Sequence, residues 1–243
     1  MKRIGTLFAM AVLCSMTVWA QSDTNNSKSN QNSSEHDKAV TRLNDASTNL
    51  KQLLDAPDKG IPQSVYKSAK CVAVVPSMVK GGFIFGAEYG RGVATCRTSG
   101  DHWSAPAMFV VTGGTWGLQI GGQAADLVML IMNQKGMNDL LSSKFKLGAS
   151  GSVAAGPVGR QASASTDWKL RSEVLTYSRA RGLFAGATLN GAVIKQDDDA
   201  TRGLYGRVVG FRSTLQGKVK PPAAADKFLA VVRGEQTQAE ATH

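Results

Sequence analysis

The hydrophobic pattern first predicts a helix over residues 36–56. Steps of three and four residues connect Val40, Leu43, Ser47, Leu50 and Leu54, which is helical spacing, and Pro57 ends the pattern. A second, short helix is predicted at 63–68, directly after Pro62. Two further helical patterns occur at 135–142 and at 222–232, and the latter begins with a proline, which the first turn of a helix tolerates.

From Lys70 onward the pattern changes to short β-type runs separated by glycines. Such runs include CVAVVP, GGFIFGAEY, WGLQIG, DLVMLIM, RQASAST and EVLTYSRA. Their spacing is typical of an antiparallel sheet or partial barrel and not of helices alternating with strands. We therefore predict one α+β domain, a curved antiparallel β-sheet or partial barrel of about ten short strands with flanking helices.

Residues 113–132, GGTWGLQIGGQAADLVMLIM, combine glycines with an apolar tail that begins after Asp126. The tail is too short to span a bilayer. Trp116, Leu118 and Ile120 alternate with glycine or glutamine, which fits a strand with one bulky face. The stretch is predicted to pack as part of the sheet, and whether it also frames a ligand cavity stays open.

The N-terminus has the pattern of a secretory signal peptide over residues 1–20. Lys2 and Arg3 precede an apolar run, and a small-x-small cleavage site ends at Ala20. A lipid anchor at Cys14 is disfavoured because Leu13 is bulky where lipoprotein processing needs a small residue. Residues 21–35 contain no apolar side chain and are predicted to be a disordered spacer, so the ordered domain is expected over 36–243. A periplasmic or secreted protein is the expectation.

Composition and charge narrow the class of partner. The chain has 243 residues, of which 42% are hydrophobic, enough for one substantial core or two small ones. Cleavage after Ala20 would lower the formal net charge from +10 to +8. A basic protein favours acidic partners, and export makes nucleic acid an unexpected one.

Export also bears on the cysteines. Removal of Cys14 leaves Cys71 and Cys96, in a compartment where disulfides persist. Both lie in short β-type runs, KCVAVV and VATCR, that could be neighbours in one sheet. We predict a Cys71–Cys96 disulfide, the alternative being two buried free thiols.

Sequence motifs for catalysis are weak. The three histidines lack metal-ligand spacing, and the chain contains no CxxC, HExxH or GxSxG motif. Glu88, Asp126 and Asp167 lie among apolar or glycine-rich runs, where two close carboxylates could perform acid–base chemistry. Such residues more often accept hydrogen bonds from backbone amides. We therefore expect no enzymatic activity, no cofactor and no metal site.

Several blocks, in a fixed order, carry a family resemblance. They are AKCVAVVPSMVKGGFIFGAEYGRGVATCR, WSAPAMFVVTGGTWGLQIGGQAADLVMLIMN, KFKLGASGSVAAGPVGR and YSRARGLFAGATLNGAVI. In these blocks the chain closely resembles the SYLF domain, over about 45–205 and including the preceding helix. The resemblance implies an α+β fold and lipid binding, since eukaryotic SYLF proteins bind phosphoinositides, partly through an amphipathic N-terminal helix. Some of those proteins also bind actin, but an exported chain is not expected to meet it, so anionic phospholipid is the expected partner.

Two groups of residues are candidates for that lipid contact. The first is a basic set that could converge on one rim of the sheet: Lys144, Lys146, Arg160, Lys169, Arg171, Arg179 and Arg181, with Arg202, Arg207 and Arg212 as further members. A smaller cluster is formed by Lys80, Arg91 and Arg97 near the first hairpin. The alternative for these cations is a solvated face, partly balanced by acidic neighbours.

The second group lies on the first helix, where cations flank the apolar stripe. Its candidate membrane-facing residues are Val40, Arg42, Leu43, Leu50, Lys51 and Leu54. Asp37, Asp45 and Asp55 reduce the net charge of this helix to about zero, and a stripe at helical spacing usually faces a core, so docking on the domain is the alternative. The alternative function is a structural or protein-interaction module of the cell envelope, without lipid binding, that could self-associate through sheet edges.

Overall fold

A curled nine-stranded β-sheet with helices on both of its faces forms the centre of the fold in a computed structural model of the chain. The structure describes residues 23–56, 60–82, 85–116, 121–142, 144–147, 153–158, 172–180, 183–186 and 191–235. The predicted α+β class and the single domain are confirmed. The signal peptide, Cys14 and the predicted segment RQASAST lie outside the described residues, as do the central residues of WGLQIG.

The helices and strands have the following bounds. The helices are α1 (Asp23–Asp55), α2 (Gln63–Ser68), α3 (Gln134–Leu140), α4 (Asp198–Tyr205), α5 (Phe211–Leu215) and α6 (Asp226–Arg233), with 3₁₀ turns at Ser99–Asp101 and Ala223–Ala225. The strands are β1 (Cys71–Gly82), β2 (Phe85–Cys96), β3 (Ala107–Trp116), β4 (Gly121–Ile131), β5 (Lys144–Lys146), β6 (Val153–Ala155), β7 (Val174–Ala180), β8 (Leu183–Gly186) and β9 (Val193–Gln196).

The strand order across the sheet is β5-β9-β3-β2-β1-β4-β7-β6, and β8 also pairs with β7. All neighbours are antiparallel except β6 and β7, which run parallel. The expectation of a purely antiparallel sheet is corrected at this one pair. Parallel pairing needs a connection of about a dozen residues or more, and residues 156–173 supply it.

Around the first residues of β1, the middle strands are buried on both faces of the sheet. On the outer face, Val72 and Val74 pack with buried residues of α1, α2 and α6. On the inner face, Ala73 and Val75 pack with Phe109 and with residues that include Leu140 of α3 and Phe211 of α5. Burial on both faces explains why β1 begins as an uninterrupted apolar run and not as an alternating one.

Helix α1 lies across the outer face of the sheet. Its fully buried apolar residues are Ala39, Leu43, Ala46, Leu50 and Leu53, again at steps of three and four. The predicted stripe is therefore rotated slightly, because Val40 and Leu54 lie at its half-buried margins. The part of the chain that the structure describes contains no helix that combines the length and the apolar character needed to cross a bilayer.

The start of α1 differs from the prediction. The helix begins at Asp23 and takes in most of the segment predicted to be a disordered spacer. Its contact with the domain also begins early and is polar, since His36 Nδ1 lies 3.0 Å from the carbonyl oxygen of Gly203. Gly203 makes this approach possible, because a Cβ there would lie 2.6 Å from the Glu35 backbone. The apolar pattern of the sequence contains no signal for a polar contact of this kind.

Two helices near the C-terminus were not predicted. Asp197 caps α4 by accepting a hydrogen bond from the Ala200 amide, and Gly206, with φ of 71°, ends the helix. Helix α5 has only five residues and forms because Phe211 and Leu215 are buried in the inner core. The predicted C-terminal helix at 222–232 is confirmed in outline, as a 3₁₀ turn followed by α6.

The predicted disulfide is present. Cys71 and Cys96 are directly opposite each other on β1 and β2, and the structure joins them by a disulfide bond. Both residues are fully buried. The bond therefore closes the β1–β2 hairpin at the end opposite its turn.

Candidate functional site

An irregularity in β1 divides the outer face of the sheet into two parts. The pairing of β1 with β2 changes register between Val74 and Val79, and its pairing with β4 changes between Val75 and Met78. Ser77 lies in this bulge with φ of 50°, a positive value that is unfavourable for a residue other than glycine. The bulge therefore needs support from its surroundings.

Asp126 supplies that support. Its Oδ1 accepts a hydrogen bond of 3.1 Å from the Ser77 amide and one of 2.7 Å from Asn49 Nδ2 on α1. Its Oδ2 accepts from Arg179 on β7 at 2.9 Å. The carboxylate thus joins the bulge, α1 and β7. This is the structural role that was the alternative to catalysis for Asp126.

Beyond the bulge, a row of side chains crosses six strands on the α1 side of the sheet. Residues directly opposite each other in antiparallel strands share a face. The pairings Ala124 with Val79, Val79 with Tyr89, Tyr89 with Thr112, Thr112 with Val193 and Val193 with Lys146 therefore define one continuous row. A second row, one step closer to α1, joins Arg91, Val110 and Lys195. We call these nine residues the open face.

The open face is exposed, partly apolar and basic. The side chains of Val79 and Tyr89 are 52% and 47% exposed, although both are large and apolar or aromatic. Lys146, Lys195 and Arg91 are exposed as well, and neither row contains an acidic residue. Arg91 Nε donates a 2.8 Å hydrogen bond to Tyr89 Oη, which raises the pKa of Arg91 and fixes the guanidinium beside the ring.

A groove of about 590 Å³ separates the open face from α1. Pro76, Ser77 and Arg91 line its sheet side, and Lys38 and Asp45 are among the residues on its helix side. Its charge is mixed, because Asp37 and Asp45 line it together with Lys38, Arg42 and Arg91. The groove has the size of a small-molecule site, but it lacks the surplus of positive charge that the open face has.

A buried ion pair fixes α1 at one end of this groove. Arg42 donates to Asp197 Oδ2 at 3.0 Å, and both side chains are buried. Burial lowers the pKa of Arg42, and the neighbouring carboxylate opposes that change. Asp197 neutralises the charge of Arg42. This arginine therefore anchors α1 to the domain and is not a free cation.

The predicted basic set is only partly described. Arg160, Lys169, Arg171 and Arg181 lie outside the described residues, and Lys144 is placed only by its register opposite Lys195. Lys146 and Arg179 are not brought together, since five strands separate β5 from β7 in the sheet order. Lys146 belongs to the open face, whereas Arg179 pairs with Asp126. Arg202, Arg207 and Arg212 lie in the α4–α5 region and not at strand ends.

The smaller predicted cluster does not form a common site. Lys80 lies 3.2 Å from the buried Glu88 carboxylate on the inner face, opposite to Arg91. Arg97 lies over the ring of Trp103, 4.5 Å from its centroid, and donates to the Ala69 carbonyl. Of these three cations, only Arg91 belongs to the open face. Asp167 lies outside the described residues.

The candidate membrane-facing helix residues have mixed placements. Leu43 and Leu50 are buried in the core, and Arg42 forms the buried ion pair. Lys51 is exposed and lies 2.6 Å from Asp55 Oδ2. In this conformation α1 docks on the domain through its stripe, which was the alternative to membrane contact.

Sequence analysis missed the apolar part of the open face. Val79, Tyr89 and Lys195 were not among the candidates. A signal was present in β2, where Tyr89, Arg91 and Val93 alternate with Glu88, Gly90 and Gly92. The alternation predicts that Tyr89, Arg91 and Val93 lie on the same face of the sheet. Only the position of α1 shows that this helix covers Val93 and leaves Tyr89 exposed.

Comparison with known proteins defines the class. A family model described as "Ysc84: Las17-binding protein actin regulator" matches residues 112–234. Protein YSC84 of Saccharomyces cerevisiae is 34% identical over 178 residues, which cover 72% of this chain and 38% of that protein. LAS seventeen-binding protein 3 of the same species is 33% identical, with coverages of 72% and 39%. The human SH3 domain-containing YSC84-like protein 1 is 30% identical over 179 residues, covering 73% of this chain and 52% of its own length.

The chain belongs to the Ysc84 (SYLF) family. It spans about half or less of the length of these relatives. The family resemblance found in the sequence is confirmed. The expected partners, a membrane surface without actin, are corrected, because the family description names Las17 binding and actin regulation and one relative is named for Las17 binding. The family is therefore described by its protein partners and not by a membrane surface alone.

Proposed function

We propose that the protein binds anionic phospholipid surfaces through the open face. The observation that carries the proposal is the pair of adjacent rows in which exposed Val79 and Tyr89 share one face of the sheet with three cations. The cations are Arg91, Lys195 and Lys146, and neither row contains an acidic residue. Peripheral membrane binding needs apolar groups that insert and cations that attract head groups. Three cations near an anionic surface contribute roughly 3 kcal/mol together, and the two apolar side chains add to this.

Cosedimentation with vesicles tests the proposal. The chain beginning at Gln21 is mixed with phosphatidylglycerol or phosphatidylcholine vesicles at physiological salt. We expect enrichment on phosphatidylglycerol alone and a decrease at higher salt, because exposed charges are screened. Equal recovery with both lipids would overturn the proposal.

We further propose that the protein is exported and acts as a binding protein without catalysis. The charged start, apolar run and cleavage pattern over residues 1–20 support export. Mass measurement of the mature protein from its host tests the export. A mature chain beginning at Gln21 is expected, whereas a chain that retains residues 1–20 would contradict it.

A second candidate function is binding of a protein partner of the actin-regulating type. The family description and the names of the relatives favour it. Pull-down of purified Las17 and of actin by the chain beginning at Gln21 tests this function. The test is independent of lipid, because the assay contains no vesicles. If neither protein is retained while vesicle binding is intact, only the lipid function remains supported.

A further inference from the structure

A second basic surface lies in residues 206–220, which we call the basic segment. From residue 200 to residue 225 the chain contains five basic residues and no acidic one. Arg202 pairs with Asp199. Arg207, Arg212, Lys218 and Lys220 are exposed, and within the part of the chain that the structure describes they form no ion pair. Their charge is therefore available to another molecule.

The basic segment is held in a fixed conformation. Gln196 Nε2 donates to the Val209 carbonyl at 2.9 Å, and Gln196 Oε1 accepts from the Phe211 amide at 2.9 Å. Phe211 and Leu215 are buried, and the Lys218 amide donates to the Ser213 carbonyl. A surface that is already ordered loses less conformational entropy on binding.

The basic segment also exposes an apolar side chain. Val208 is 45% exposed, one of three large apolar residues with high exposure in the described part of the chain, and it follows Arg207 directly. Cations around an exposed apolar group fit a partner that combines carboxylates with apolar side chains.

The part of the basic segment that forms α5 lies on the other side of the sheet from the open face. Phe211 and Leu215 pack with Phe109 and Val75 in the inner core. The open face is on the outer side, where Val110, the neighbour of Phe109, belongs to its second row. A bilayer that contacts the open face therefore lies on the other side of the sheet from α5.

We propose that the basic segment binds an acidic polypeptide segment while the open face binds the membrane, so that the protein links the two. The choice of a polypeptide over a lipid rests on the proposed function, because that function places the bilayer on the other side of the sheet. The contact is electrostatic, with Arg207 and Arg212 as its central cations and Val208 as its apolar contact.

Binding of a fluorescent poly-glutamate peptide, measured by anisotropy with the chain beginning at Gln21, tests the inference. We expect the double variant R207E/R212E to weaken peptide binding by at least about tenfold and to leave phosphatidylglycerol binding unchanged. The open-face variant R91E/K195E is expected to lose vesicle binding and to keep peptide affinity within about twofold, as distant sites behave independently. K67E/K70E is the control, because it makes the same change in net charge at two exposed lysines elsewhere.

Three outcomes would overturn the inference. The first is an absence of peptide binding by the unsubstituted chain. The second is an equal loss in K67E/K70E, which would show a general charge effect. The third is loss of vesicle binding in R207E/R212E with peptide binding unchanged. Peptide binding without any vesicle binding would remove the proposed lipid function and still support the basic segment as a binding site. Thermal unfolding of each variant checks that the fold is intact.

Discussion

Arg42 on α1 and Asp197 before α4 form a buried ion pair between residues 155 positions apart in the chain. Asp197 also caps α4 and accepts from the Ala200 amide. Removing one partner leaves the other charged and buried, so Arg42→Ala should lower the free energy of unfolding by about 3–5 kcal/mol. Arg42→Met, which keeps the side-chain volume, does not restore the pair and should destabilise similarly.

Urea denaturation of the variants measures this effect. The control is Lys51→Ala, which breaks an exposed pair with Asp55 on the same helix and should change stability by less than about 1 kcal/mol. Equal effects of Arg42→Ala and Lys51→Ala would contradict the anchoring role of Arg42. The double variant Arg42→Met/Asp197→Asn should be more stable than Arg42→Met, since it leaves no unpaired buried charge.

The glycines of β1 and β2 give a matched pair of substitutions. A Cβ at Gly92 would lie 2.4 Å from the Phe109 ring and 2.7 Å from the Val74 carbonyl oxygen, whereas a Cβ at Gly81 meets no atom of the described residues within 4 Å. Gly92→Ala should destabilise by about 1–3 kcal/mol through overpacking. Gly81→Ala should be neutral or stabilising by up to about 1 kcal/mol, because alanine restricts the unfolded chain.

Thermal or urea unfolding of the two alanine variants decides this prediction. Both substitutions add one methyl group to a strand, so the difference between them reports the surroundings alone. A Gly81 variant as unstable as the Gly92 variant would show that the face around Gly81 is covered in solution.

The Cys71–Cys96 bond closes a loop with a sequence separation of 25. Replacing both cysteines by alanine should lower the free energy of unfolding by about 2–4 kcal/mol, because the unfolded chain gains freedom. The mature chain, denatured without reductant, should show no reactive thiol. Two reactive thiols would contradict the bond, and urea unfolding of the double variant in the presence and absence of reductant should give the same stability.

Local patterns predicted much of the fold. The spacing of Leu43 and Leu50 gave the docked stripe of α1, and the proline before Gln63 gave α2 with its observed bounds. Cys71 and Cys96 were paired correctly because both lie in β-type runs of a two-cysteine mature chain. In the two helices the signal lies within a single element. In the disulfide it lies in the fact that only two cysteines remain to form a pair.

The rest depends on tertiary contacts. The docking of α1 begins with the close approach of the Glu35 backbone to Gly203, and α5 exists because Phe211 and Leu215 fill the inner core. The open face depends on the bulge at Ser77 and on how far α1 covers the outer face of the sheet. No local pattern contains these relationships. The cap of α4 is an exception, since Asp197 and Gly206 are recognisable signals for the start and the end of a helix.

Two buried tyrosines, Tyr66 and Tyr177, and the half-buried Tyr205 predict the alkaline behaviour of the protein. Tyr66, Tyr177 and Tyr205 donate to the carbonyls of Val232, Pro157 and Pro106, and burial raises the pKa of each hydroxyl. A raised pKa in the folded state contributes stability that is fully present below the unfolded value, about pH 10 for tyrosine, and is lost as pH rises above it. The melting temperature should therefore fall above about pH 10.

Tyrosinate absorbance followed together with circular dichroism measures this loss. The tyrosinate absorbance of these three residues should appear only as the fold is lost. Tyr205→Phe should make the fall in stability with pH less steep, because one of the linked groups is removed. Ionisation of all tyrosines with an unchanged circular dichroism spectrum would contradict their burial.

The open face makes separate predictions for its apolar and basic parts. Val79→Ser/Tyr89→Ser should weaken binding to phosphatidylglycerol vesicles at all salt concentrations, because it removes the inserting groups and keeps the cations. R91E/K195E should weaken binding most at low salt, because the lost contribution is electrostatic. K67E/K70E should bind nearly as well as the unsubstituted chain, although its net charge equals that of R91E/K195E. Equal losses in the two charge variants would show that total charge, and not the arrangement on the open face, attracts the protein to lipid.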